Sequence, residues 1–235
     1  GAYILFQVMN EHASNPPKTE ELLSLGVNND LWIMNSDGSN KQKLTDNPTG
    51  YAVLHSHFSH DGDRIMWAER YNDDPNSSIF GSWRIMKADV FIYNQGNTSL
   101  SNITAVQPGG AKWYESHGFS HDDENIFFSG NLTTDFRASD IYRYSIAQNT
   151  LTNITSSPTT WEDMHNPHPL NEQIYSFISS RFFNWNNNLG WATLRTELYL
   201  NDHGQLKQLT YYNQLEKDNH SNLTSEHYFI GDHCW

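Results

Sequence analysis

The sequence predicts an all-β chain, a propeller of four-stranded blades around a central axis, and three observations predict it. Two hairpin patterns alternate along the 235 residues in four copies. Aromatic residues make up 14% of the chain against 17% charged, a balance that suits half-buried strands better than helical bundles. Asn and Gly recur at short intervals, and both favour turns because they tolerate left-handed backbone.

The first pattern reads DLWIMNSDGSNKQKLT at 30–45, DVFIYNQGNTSLSNIT at 89–104, DIYRYSIAQNTLTNIT at 140–155 and ELYLNDHGQLKQLT at 197–210. Each copy is an alternating apolar strand, a polar turn, and a second strand that closes on Leu-Thr or Ile-Thr. The closing threonines Thr45, Thr104, Thr155 and Thr210 follow one another at 59, 51 and 55 residues. The second pattern reads HFSHDGDRIMWAER at 57–70, HGFSHDDENIFFSGN at 117–131 and HNPHPLNEQIYSFISS at 165–180, with IGDHCW at 230–235 as a shortened fourth copy. In each blade the second pattern supplies strands A and B and the first supplies C and D.

The chain opens with YILFQVMN at 3–10, which reads as a strand B, and stops within a strand A. Residues 228–235 are therefore expected to pair beside 3–10 and close the ring. The alternative is membership of a larger propeller. Either way residues 1–235 read as one β-propeller domain.

Loop lengths separate the two faces. The A–B and C–D turns, such as 60–63 and 36–40, are tight. The B–C connections (11–29, 71–88, 131–139 and 181–195) and D–A loops such as 211–226 are long. Long loops in a compact domain are commonly functional, so this face is the expected ligand face. It carries Trp161, Phe183, Trp185, Trp191, Tyr211 and Tyr212, whose flat rings suit a sugar or peptide ligand.

Aligning the copies on Phe58, Phe119, Pro167 and Trp235 makes Ser56, His117, His165 and His233 equivalent, at the inner strand of each blade. His55 and His57 flank the position that lacks imidazole. Imidazoles gathered at an axis suit a divalent metal ion or a general base, with Glu115, Glu162, Asp163 and Asp232 near enough in sequence to orient them. The competing reading is that each His recurs to hydrogen-bond a neighbouring blade. His60 and His121 fall in tight turns and read as solvated turn residues. Ser120, His121 and Asp122 resemble a triad in miniature, but adjacent residues on a strand and turn point apart.

The net charge of −13 with 14 basic residues opposes binding to nucleic acid. One cysteine, Cys234, excludes an internal disulfide. No apolar run approaches the ~20 residues of a membrane span.

Two sets of residues carry a family resemblance: the hairpin with Ser36-Asp37-Gly38 and Leu44-Thr45, and Phe58-Ser59-His60-Asp61-Gly62. They resemble the TolB-type propeller repeat, which has Trp-Ser-Pro-Asp-Gly at the latter place. The resemblance implies a rigid recognition platform for a protein or carbohydrate ligand, outside the cytoplasm. The sequence is similar at greater distance to oligogalacturonate lyases. That likeness implies a metal-assisted polysaccharide lyase in which His117, His165 and His233, with His55 in the fourth place, hold a divalent ion.

Overall fold

A computed structural model describes residues 2–10, 25–72, 81–93, 97–132, 138–183 and 194–213. Within them lie fifteen strands in four antiparallel sheets and a single 3-10 turn at Pro108–Gly110. The first sheet holds β1 (Tyr3–Met9), β2 (Asn29–Asn35) and β3 (Gln42–Lys43). The second holds β4 (Ala52–Phe58), β5 (Arg64–Asn72), β6 (Ser82–Ile92) and β7 (Thr98–Val106). The third holds β8 (Tyr114–Phe119), β9 (Asn125–Gly130), β10 (Asp140–Ser145) and β11 (Thr150–Asn153). The fourth holds β12 (Glu162–His168), β13 (Asn171–Ser179), β14 (Glu197–Asp202) and β15 (Gln205–Gln208).

Every sheet is a meander in chain order, so each is one propeller-like blade. Among the described residues the first sheet holds three strands where the others hold four. Among the described residues β1 pairs with β2 alone. The segment expected to close the ring, 228–235, lies outside the described residues.

The closing threonines have a physical role. In blade one Thr45 Oγ1 accepts from Leu31 N at 2.9 Å and donates to Asp30 Oδ1 at 3.2 Å, while Asn47 N donates to the same carboxylate at 2.7 Å. Thr155 and Asp140 repeat this in blade three, and Thr210 and Glu197 in blade four. An acidic residue at the start of strand C and a threonine at the end of D thus satisfy backbone donors where the ladder stops.

Blade two departs from the repeat. Its strand C begins at Ser82, seven residues before Asp89, and its strand D runs past Thr104 to Val106. Thr104 pairs with Lys87 and is exposed, and Asp89 instead accepts from Asn102 Nδ2 at 2.6 Å. The hairpin seen in the sequence at 89–104 is therefore the outer part of a longer one. A bulge at Asn102, with φ +49°, absorbs the extra residue.

Three apolar clusters form the core, each seated between consecutive blades. Leu31 packs with Val53, Ile65, Trp67 and Met86 between blades one and two. Trp83, Ile85, Trp113, Tyr114 and Phe128 fill the space between two and three. Ile141, Phe177 and Tyr199 do so between three and four.

Candidate functional site: the histidine-lined axial cavity

Each of the three described inner strands carries a β-bulge at the same depth. The register slips between Leu54 and His57 in β4, between Ser116 and Gly118 in β8, and between Asp163 and Asn166 in β12. Positive φ marks them at His55 (46°), Gly118 (102°) and Met164 (55°). A bulge adds one unpaired residue and re-aims its neighbours, here toward the space between the inner strands. That space is a cavity of about 360 Å³ lined by His55, His57, Ser116, His117, Met164, His165 and Asn166.

The imidazoles reach across from blade to blade. His55 Nδ1 lies 2.9 Å from Glu115 Oε1 of the next inner strand. His117 Nε2 lies 3.0 Å from Asp163 Oδ1 of the strand after that, and 2.6 Å from Ser129 Oγ in its own blade. His57 Nε2 donates to the Ser116 carbonyl at 3.2 Å, and Ser116 Oγ donates to the His55 carbonyl at 2.6 Å. His165 is buried, stacked on Phe127 of the preceding blade with ring centres 4.4 Å apart, and tilted against Tyr175 at 5.0 Å.

Burial sets the charge states. It lowers the His57 imidazole to about 4, aided by His55 and His117, so His57 is neutral at pH 7. Burial and then the charge of Asp163 push the Glu115 carboxyl above its ordinary value, against the pull of His55. Burial acts to raise Asp163 as well, but the hydrogen bond and charge of His117 outweigh it and hold that carboxyl low.

The structure brings His55, His117 and His165 to one cavity together with His57, and His233 lies outside the described residues. The nitrogen that His117 turns toward Asp163 and Ser129 is already engaged. Among the described residues no three His, Cys, Asp or Glu side chains are grouped as ligands of one ion. Ser120 Oγ donates to Asp122 Oδ1 at 2.6 Å and accepts from Asn125 N at 2.8 Å, so it shapes its turn.

On the long-loop face the expected aromatics divide. Trp161 is buried in the core against Trp113, with ring centres 5.0 Å apart. Phe183 and Tyr211 are half-buried, and Tyr211 OH donates to the Gln208 carbonyl at 3.3 Å. Tyr212 is 58% exposed. Trp185 and Trp191 lie outside the described residues. Phe182, 79% exposed with φ +72°, is the aromatic that the sequence reading passed over in favour of its neighbour. A two-residue aromatic run gives no periodicity to say which ring faces water.

No protein-family model matches the chain, and no curated protein is similar to it. Solved structures give the fold. A structure assigned as TolB from Agrobacterium tumefaciens matches with a TM-score of 0.54 at 17% identity, over 77% of this chain and 56% of that one. Prolyl oligopeptidase B from Galerina marginata matches at 0.51 and 12% identity, over 89% of this chain and 26% of that one. An oligogalacturonate lyase in complex with manganese matches at 0.44 and 11% identity, over 79% of this chain and 48% of that one, too slight a likeness to bear on activity. The chain spans little more than half of the TolB structure. Its fold is that of a TolB-like β-propeller, and no helix among the described residues is long and apolar enough to cross a membrane.

Proposed function

We propose that the chain is a recognition propeller that binds a protein or carbohydrate ligand, outside the cytoplasm, on the face of its long B–C and D–A connections. The observation that carries this reading is a division of labour between axis and loop face. The axial histidines lie against carboxylates, carbonyls and rings of neighbouring blades, whereas the loop face turns Phe182 and Tyr212 to solvent. Exposed aromatics on a rigid frame supply contact area at low entropic cost.

The test is binding to arrays of oligosaccharides and peptides. Phe182→Ser and Tyr212→Ser are expected to weaken any captured ligand by at least about tenfold, a loss of roughly 1.4 kcal/mol. Folded His117→Gln is expected to bind as the parent does. Loss of binding in His117→Gln with none in the aromatic variants would move the site to the axis.

One observation favours a second reading, a metal-assisted polysaccharide lyase. Four imidazoles, His55, His57, His117 and His165, line a single cavity. Its test is a metal assay of the purified protein beside an ultraviolet screen for unsaturated products from uronate polymers. Near one metal per chain with new absorbance would establish the lyase, and neither signal would leave recognition as the function.

A further inference from the structure

The axial cavity continues into a second one, of about 380 Å³, which shares His57, His117 and Asn166 with it and reaches the A–B turns at His60 and His121. His60 and His121 hold equivalent places in the turns of blades two and three, and their ring centres stand 5.5 Å apart at 75°. His60 Nδ1 lies 3.1 Å from Asp123 Oδ1. That carboxylate is fixed in turn by the backbone N–H groups of His60 (2.8 Å) and Asp61 (2.9 Å). A ring that donates Nδ1–H to a buried carboxylate presents Nε2 as a lone-pair donor, the arrangement that orients metal-ligating histidines. Glu172 accepts from the His121 backbone N–H at 3.1 Å and lines the same cavity with His168.

We propose that His60 and His121 form a zinc site between the turns of neighbouring blades. A zinc ion held by two imidazole nitrogens at about 2.0–2.1 Å with tetrahedral angles places the ring centres roughly 5 Å apart, within a few tenths of the separation here. The surroundings favour a cation: Glu172 lines the cavity and Asp61, Asp122 and Asp123 belong to the same two turns, against Arg64, whose guanidinium is 3.4 Å from Asp61. As the side chains stand the site offers two protein ligands rather than three. Water or the Glu172 carboxylate fills the other positions, and the affinity is correspondingly modest. Imidazole ligation selects zinc over calcium and magnesium. The site is separate from the loop face, so its fate does not depend on the recognition reading.

The experiment is calorimetric titration of the purified chain with zinc, calcium and magnesium, beside thermal unfolding with and without zinc. One zinc per chain is expected, with a dissociation constant below about 100 µM and no calcium or magnesium binding at that level. His60→Gln and His121→Gln should each weaken zinc at least about tenfold and abolish the zinc-dependent rise in Tm. Both are exposed turn residues, and an unchanged zinc-free Tm verifies that the fold is intact. Should His60→Gln lower that Tm through the Asp123 contact, His121→Gln alone decides. No zinc binding below about 1 mM, or binding that survives both substitutions, would overturn the proposal.

Discussion

His57 is the residue at which burial and function pull apart most clearly. Its imidazole lies between inner strands, donates to the Ser116 carbonyl, and is lowered to about 4 chiefly by burial. A folded-state value below the unfolded 6.5 means that only the unfolded chain takes up this proton between those limits. Stability is therefore expected to fall as pH drops from about 6.5 to about 4, by at most about 3 kcal/mol for this group. His57→Gln keeps a donor but does not titrate, so urea midpoints measured from pH 7 to pH 4 should flatten relative to the parent. An equal slope in both proteins would place the acid sensitivity elsewhere. The equivalence of His117 and His165 was legible in the sequence, since both precede the anchoring Phe119 and Pro167 by two residues. Their partners were not. Glu115 lies 60 residues beyond His55 and Asp163 lies 46 beyond His117, and only radial packing of the inner strands brings each pair within 3.0 Å.

Among the elements, the hairpins were legible because their signals are local: period-two alternation, Asp-Gly turns and closing threonines. The threonines also have a measurable job. Thr155→Val removes the hydroxyl that accepts from Ile141 N and donates to Asp140, in a near-isosteric side chain. It is expected to cost about 1–2 kcal/mol in chemical unfolding. Thr104→Val, at the exposed threonine of blade two, should be within about 0.5 kcal/mol of the parent. The two substitutions look alike in the sequence, so the contrast checks whether blade two lacks the cap. The bulges escaped the sequence reading because a single extra residue leaves the strand pattern intact on either side. Gly118 is their one overt mark. At φ +102° a side chain is strained whatever the space, although an added Cβ would meet the His57 ring at an ordinary 3.5 Å. Gly118→Ala is expected to cost about 1–3 kcal/mol and to lower Tm without abolishing folding.

For the molecule as a whole, apolar clusters between consecutive sheets hold the blades together along their length, and the histidine–carboxylate pairs lock them at the axis. Polar pairs of this kind are costly to bury and costlier to break, because the surviving partner is left charged in a dry site. They therefore fix how one blade meets the next more than they add to net stability. The most direct measurement is a double-mutant cycle on His117 and Asp163, each changed singly and together to Ala, read by urea unfolding at pH 7. The account predicts a coupling energy of about 2 kcal/mol or more between side chains of different blades. Effects that add to within about 0.5 kcal/mol would contradict it, because the axial pair would then hold nothing together.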